Sequence, residues 1–583
     1  MLPKYCIILA IFFKYGICGH GRNISRELNG TITGNQTLTH AEGPYLVTSD
    51  LVVAENATLA IEPGTQVNFL PSVGIRVHGS LNAKGTPSHR ITFRAVPCKD
   101  APSCKNSAIP YNQGIRLVGG TSHNNGRLEL QWRGQWGTVC GQYFWDMRDT
   151  RVACRQLGFL GAKRYYFHPG SGRVFMKFVE CTGYEESLWD CRYSWAYYYP
   201  CDHKYDIGIE CDTHLPILAQ KVFWRGIYFA PGNSSEGHGN SSLENVDIEN
   251  AFDGIKVKKV APALLGISLK DCAYGVQVQE LAKPMEIVDS TILSPRMMGV
   301  NIENLFGKVI MHNATIVNTR FGDGFVYTRT AMDLCSVFPR KIYFPLLVNA
   351  VAKVSMTRCS QILKASPGRR LTVHFTQIKG NEFELDIVDG NTKNKTLVSR
   401  ITDTHSGKTI TISASSVSEI IFFSKYGLRL GGRLKMIVVE DPVQEPSILI
   451  SNCKFSNNSE SGIELNDAIG PSKISNTAVN GNSVGLLVKN SRGRLHVVSS
   501  VFETNGNNGV EINTIKGPLE FESVNSSKNK ASGIEINTGT FSFQMTESRI
   551  EDNLDRGLLI RHQLNSTINV SNSHFSRNKA GHG

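Results

Sequence analysis

Of the 14 cysteines in this chain of 583 residues, six crowd into one stretch, at Cys140, Cys154, Cys181, Cys191, Cys201 and Cys211. Clustered thiols either hold a metal or pair oxidatively, and none of these spacings is that of a zinc site. The N-terminus decides between the two. Met1 to Tyr5 carries a lysine, Cys6 to Phe13 is the apolar run CIILAIFF, and small residues follow at Gly16 to Gly19. This reads as a signal peptide over 1–19, since the run is too short to span a bilayer. An exported chain meets an oxidising compartment, so the cluster is a disulfide framework, with fifteen pairings open to six cysteines. Just outside it, Cys98 and Cys104 are expected to pair with each other across a short loop. Export also makes glycan acceptors of accessible sequons, found at Asn23, Asn29, Asn35, Asn56, Asn233, Asn240, Asn313, Asn394, Asn457, Asn525, Asn565 and Asn569. The one candidate for acid–base chemistry is Glu464, Glu511 and Glu535, which share a register just after a repeated glycine. Leu487 and Leu559 interrupt that ladder, and a Glu there is the ordinary outward partner of an inward Ile. No nucleophile elbow or phosphate-binding loop is present. The expectation is no enzyme, no catalytic residue, no cofactor and no metal.

The repeat that carries those glutamates organises the chain. Gly462, Gly485, Gly509, Gly533 and Gly557 stand 23, 24, 24 and 24 residues apart, and Gly581 follows after 24 more. Four residues before most of them is an asparagine, Asn458, Asn505, Asn529 and Asn553, and three residues before several of those is Phe455, Phe502 or Ile550. Alternation such as Gly-Ile-Glu-Leu sends apolar side chains to one face and charge to the other. Gly and Asn supply the sharp corners. A unit this short cannot bury its apolar face alone, whereas stacked units share a core. The Leu-x-x-Leu-x-Leu frame of leucine-rich repeats is absent, so the expectation is a parallel β-helix of about 24 residues per coil. Gly254, Gly275, Gly299 and Gly324 keep the same beat, 21, 24 and 25 apart. Earlier, Tyr45 to Arg94 alternates throughout, and Leu59 to Phe69 (LAIEPGTQVNF) resembles the opening of right-handed β-helix proteins. Cys272 and Cys453 precede such glycines and are expected in the core as small apolar residues.

Two segments break the beat. The first opens with Ile115 to Gly120 and contains Gly134-Gln-Trp-Gly-Thr-Val-Cys140, Val152-Ala-Cys-Arg-Gln-Leu-Gly-Phe159, Glu186-Ser-Leu-Trp-Asp-Cys191 and Gly208-Ile-Glu-Cys211. It resembles the scavenger receptor cysteine-rich (SRCR) family over about 100 residues. The resemblance implies the pairs Cys140–Cys201, Cys154–Cys211 and Cys181–Cys191. It also implies a cation site, which this chain lacks. Gly141 and Gln142 replace one acidic pair, Lys177 and Phe178 stand where another often occurs, and Glu185 alone cannot supply the six to eight oxygens calcium needs. The aromatic tract with Tyr193, Trp195, Tyr197, Tyr198 and Tyr199 reads either as partial packing on the domain or as a protein contact patch. The second break resembles a CUB domain. Cys335 and Cys359 have the spacing of its first bridge, and Leu371 to Phe375, Leu385 to Gly390 and Ile420 to Phe423 fit later strands. The second cysteine pair is missing, and Phe383 stands where calcium-binding members place an Asp.

The expected organisation is therefore signal peptide 1–19, first coils 20–97, SRCR domain 115–212, β-helix repeats 220–330, a CUB-like β-sandwich 335–440 and repeats 447–583. This module order resembles the bark beetle family of insects, type I membrane proteins that organise tricellular contacts of septate junctions. The resemblance implies an extracellular, cell-surface scaffold for adhesion at cell–cell junctions, whose partners are proteins or glycans on neighbouring cells. The family's membrane anchor is absent from this sequence. The chain stops two residues after a coil glycine, so it is expected to be the N-terminal part of a longer protein. The net charge of +12 is spread along the chain and reads as solvated surface, with no nucleic-acid partner. One rival reading is a soluble or membrane scavenger or pattern-recognition receptor that grips polyanions through the SRCR domain; another is a carbohydrate-active enzyme of the β-helix type.

Overall fold

A computed structural model describes residues 26–579, apart from 71–72, 97–113, 133–134, 143–144, 158, 160, 182–186, 196–200, 213–223, 231–240, 260, 282, 330–331, 334–345, 352–359, 365–369, 380–383, 390–396, 403–409, 414–418, 425–432, 442–446 and 562–566. The chain divides into two units, one of Met1–Tyr228, Asn245–Ile255 and Leu269–Tyr274, the other of Phe229–Glu244, Lys256–Ser268 and Gly275–Gly583.

In the first unit, the alternating segments stack as parallel strands. Tyr45–Val53 pairs with Arg26–Ile32 on one side and with Gln66–Phe69 and Gly74–Val77 on the other. Asn35–Leu38, Thr58–Ile61 and Ser80–Lys84 form a second parallel stack. Inward residues such as Val47, Leu59, Phe69, Leu81 and Phe93 are wholly buried. Trp224–Phe229 pairs with Gly74–Val77, so the coil resumes after an excursion over 96–223, and Val246–Glu249 then pairs in register with Ile91–Ala95. Trp224 marks its return. The ring stacks on Phe69 with centroids 4.0 Å apart, and its Nε1 donates to the Glu249 carbonyl.

The excursion holds the cysteine-rich segment, a seven-stranded sheet with one helix. The strand order is Ala162–Phe167, Ile207–Cys211, Asn125–Trp132, Gln135–Val139, Arg173–Glu180, Arg192–Trp195, with Ile115–Val118 against Asn125–Trp132. The helix Met147–Gln156 starts at a capping box: the Asp146 carboxylate accepts from Arg148 N, and Asp146 N donates to Asp149 Oδ2. Its inner face buries Val152, Ala153 and Cys154 in the domain core. Three disulfides, Cys140–Cys201, Cys154–Cys211 and Cys181–Cys191, close this core.

The second unit is the repeat in its regular form. Ser447–Ser451, Ser472–Ser475, Leu495–Val498, Leu519–Glu522, Ser542–Thr546 and Thr567–Ser571 follow one another as parallel neighbours. Two further columns, one starting at Lys454–Ser456 and one at Ser461–Asn466, stack the same way. The coil corners adopt the left-handed backbone at fixed steps. One column runs Asn452, Asn476, Ser499, Ser523, Glu547, Asn572; another runs Asn457, Gly481, Thr504, Lys528, Asp552, Arg577. Lys308–His312, Thr315–Val317 and Phe325–Thr328 each pair directly with the strands at 447–451, 454–456 and 461–466. The intervening segment is thus an insertion between consecutive coils. Its described strands form a five-stranded sheet (Met332–Asp333, Leu346–Val351, Arg433–Asp441, Arg370–Lys379, Ile410–Ser413) and a four-stranded one (Ser360–Lys364, Glu419–Ser424, Glu384–Asp389, Leu397–Thr402), antiparallel except at Met332–Asp333. The fold is mainly β, a right-handed parallel β-helix interrupted by a disulfide-rich domain.

Candidate functional site

The glutamate ladder was the sequence's one candidate for chemistry. Glu511 and Glu535 are register neighbours, and both accept from the Asn508 amide at 3.1 and 3.2 Å. Glu464 faces Leu487 on one side and Val326 on the other, and it is held by Lys489 Nζ at 3.1 Å and by the Asn466 amide. Glu535 is also paired with Arg561 at 3.4 Å and faces Leu559 on its far side. Each carboxylate is therefore occupied by its own coil neighbours. Among the described residues, no group of three or more His, Cys, Asp or Glu is arranged to hold a metal ion.

The cysteine-rich domain carries the denser surface chemistry. Glu129 is clamped by Arg116 and Arg127 at 2.7 and 2.9 Å, and Glu210 by Lys163 and Arg164 at 2.5 and 2.6 Å. The two cations beside Glu210 hold its carboxyl below the usual range, Lys163 contributing most. Each acid is outnumbered two to one, so this sheet is cationic. Aromatic rings accompany the charge: Arg116 lies 4.1 Å over the Trp136 ring, and Tyr165 and Phe167 are 42% and 53% exposed on the edge strand Ala162–Phe167. Sequence reasoning passed over these groups, although the run Ala-Lys-Arg-Tyr-Tyr-Phe was a visible signal. It singled out the later tract instead. There, Tyr193 is half-buried and packs edge-on against Trp189 at 5.7 Å. Trp195 lies on the strand Arg192–Trp195, while Tyr197, Tyr198 and Tyr199 lie outside the described residues.

A second polar centre sits by the first disulfide. His203 Nδ1 lies 2.8 Å from Asp206 Oδ2, and Thr138 Oγ1 donates to Asp206 Oδ1 at 2.8 Å. The hydrogen bond to Asp206 raises the His203 pKa above its ordinary value of 6.5. Burial pushes the Asp206 carboxyl upward as well. Where the family's cation site would lie, a side chain at Gly141 would meet Ile207 Cδ1 at 2.1 Å, so an acid cannot be accommodated without rearrangement. Lys177 is buried, with Nζ 4.8 Å from the Phe178 ring, and Glu185 lies outside the described residues.

Asn29, Asn35, Asn56, Asn313, Asn457 and Asn569 are exposed and Asn525 is half-buried; Asn23, Asn233, Asn240, Asn394 and Asn565 lie outside the described residues. So do Cys98, Cys104, Cys335 and Cys359. Cys272 and Cys453 are free and buried, and burial pushes the Cys272 thiol to about 12.

Residues 118–212 match the family model of the scavenger receptor cysteine-rich domain. This segment is an SRCR domain. A second family model, the right handed beta helix region, matches residues 404–583, including the end of the antiparallel insertion. Protein bark beetle of Drosophila melanogaster is 28% identical over 417 residues, 63% of this chain and 13% of the relative. Macrophage receptor MARCO of Mesocricetus auratus is 42% identical over 97 residues, 17% of this chain and 20% of the relative. The chain therefore spans a small part of either relative's length. Among solved structures, the periplasmic alginate epimerase aligns at 8% identity over 94% of this chain and 85% of its own, with a TM-score of 0.33. The chain is an extracellular SRCR protein built on a β-helix. Among the described residues, no helix is long and apolar enough to cross a membrane.

Proposed function

We propose that this chain is part of the ectodomain of a cell-surface scaffold that organises tricellular septate junctions between epithelial cells. The carrying observation is the 28% identity with Protein bark beetle over 417 residues, a length that cannot be met by the SRCR domain alone. The fold suits a scaffold: stacked backbone hydrogen bonds position an inserted module between coils without breaking register. The two antiparallel sheets between Met332 and Asp441 support reading 335–440 as a CUB-like module. The chain acts without catalysis, since the stacked glutamates are engaged by Asn508, Lys489 and Arg561. Its partners are proteins or glycans on neighbouring cells. The test is to tag the full-length protein and image it in an epithelium. Accumulation where three cells meet supports the reading, and diffuse secretion overturns it.

The second reading, a receptor for polyanions, is favoured by the doubled cations around Glu129 and Glu210 and by the 42% identity with MARCO. It requires binding of sulfated glycans that weakens steeply with added salt and fails when Lys163 and Arg164 are both replaced by Gln.

A further inference from the structure

One corner of the β-helix holds charge that no described residue neutralises. Arg492 and Lys516 are register neighbours in a short parallel sheet, and Thr540 continues the column. In-register residues of adjacent parallel strands face the same way, about 4.8 Å apart. Both cations are half-buried, and neither side chain makes a hydrogen bond or ion pair among the described residues. Burial and the Arg492 charge both weaken the Lys516 ammonium, and burial weakens Arg492. Of the acids on the neighbouring strands, Glu520 is paired with Arg494, Glu464 with Lys489 and Glu535 with Arg561. The backbone beneath is fixed by stacked glycines. A Cβ on Gly493 would meet Gly470 O at 2.7 Å, and one on Gly517 would meet Gly493 O at 2.6 Å. Half-buried Ile469 precedes Arg492 in the column, and exposed Thr540 offers a hydroxyl beyond Lys516.

Two unpaired like charges held side by side are a standing cost unless an anion bridges them. A carboxylate presents two oxygens in one plane, suited to a single guanidinium. A sulfate ester presents three, enough to accept from a guanidinium and an ammonium on adjacent strands at once. We propose that Arg492 and Lys516 form a binding site for a sulfate ester of an extended acidic glycan, with Thr540 contacting the sugar. The site is separate from the SRCR domain.

The test uses the whole chain and a size-defined, sulfated glucosaminoglycan oligosaccharide, read by hydrogen exchange. Saturating oligosaccharide should slow exchange at least threefold across 491–493 and 515–517. The Arg492→Gln/Lys516→Gln double variant should lose that protection while keeping a melting temperature no lower than the parent's. A Lys454→Gln/Lys473→Gln double variant, with the same charge change on neighbouring strands, should keep it. Unchanged exchange at these amides in the saturated parent overturns the proposal, and this is the outcome if the glycan binds only through the SRCR domain. Equal loss in both double variants overturns it too, since diffuse charge would then suffice. A desulfated oligosaccharide should give no protection. Inorganic sulfate at the same sulfate concentration should give less, and equal protection by it would overturn the assignment to a glycan.

Discussion

Asn505 is fully buried and every polar atom of its side chain is used. Its Nδ2 donates to the Val479 carbonyl at 3.2 Å and to Asn529 Oδ1 at 2.9 Å, while its Oδ1 accepts from the Asn482 backbone N–H at 3.0 Å. The pattern repeats through Asn458, Asn482, Asn529, Asn553 and Asn578. Asn505→Ala leaves the Asn482 backbone N–H without its acceptor in a dry interior, so it should cost about 1–3 kcal/mol in the β-helix urea transition. Asn507→Ala, two residues away and exposed, should stay within about 0.5 kcal/mol. A different residue sets the pH response. A raised His203 pKa means the folded SRCR domain binds a proton more tightly than the unfolded chain. The stabilisation is complete below the unfolded value of 6.5 and is lost as pH rises through the higher folded value. The raised Asp206 carboxyl acts in the same direction. The SRCR melting midpoint should therefore fall as pH rises above 6.5, a slope to which Asp149, pushed up by burial to about 7, also contributes, and His203→Gln should make it shallower. A midpoint that rises over this range would remove the His203–Asp206 pair as its cause.

At the level of elements, the coil glycines are set by close approach. A Cβ on Gly509 would meet Ser526 Oγ at 2.1 Å and the Gly533 carbonyl at 2.7 Å, whereas one on Gly506 meets nothing nearer than 3.6 Å. Gly509→Ala should destabilise by about 1–3 kcal/mol through overpacking. Gly506→Ala should be neutral or stabilise by up to about 1 kcal/mol by stiffening the unfolded chain. Thermal midpoints of the two variants separate these outcomes. The contrast explains what could be read beforehand. The glycine beat, the inward Phe455 and Phe502 and the asparagines at 458, 505, 529 and 553 were legible as positions, but not in their role: none of these Gly or Asn takes the left-handed backbone expected of a sharp corner, and the asparagine side chains are instead buried and bonded from coil to coil. Asn482 was missed because it lies three residues before its glycine instead of four, in a coil one residue out of step. The corners at Lys528, Glu547 and Arg577 were invisible, since these long side chains carry no signal for a left-handed backbone and are held there by the stacking. The cationic strand Ala162–Phe167 was overlooked for a related reason. Its charge comes together with Glu210 only after Ile207–Cys211 folds alongside. The glutamate ladder was correctly read as broken by Leu487 and Leu559, but its neutralising partners lie 25 or 26 residues away and show no local pattern.

For the molecule as a whole, these steps mean that one coil contacts little beyond the coils next to it. Stability is then a sum of coil and interface terms, and a full period should be removable. Asn505 and Asn529 are 24 residues apart and occupy equivalent places in adjacent coils. Deleting 506–529 lets Asn505 take the place of Asn529, so its amide meets Asn553 and Gly485 stacks on Gly533. The chain should keep its β-sheet circular dichroism and lose only a few degrees of melting temperature, at about 2–4 °C per kcal/mol. Deleting 506–517, half a period, joins Asn505 to Pro518 and brings strands of the wrong column into register. Inward and outward residues no longer match, and the downstream asparagines lose their partners. That variant should show fast amide exchange from Asn529 onward. If both deletions behave alike, whether tolerated or ruinous, coil-by-coil stacking is not what holds this unit together. The insertions at Arg94 and Thr328 are the natural form of the same experiment. The chain leaves between coils, builds separate sheets, and returns in register at Trp224 and at Ser447. A lattice of repeated neighbours tolerates such excursions because no contact in the next coil depends on the length of the loop that precedes it.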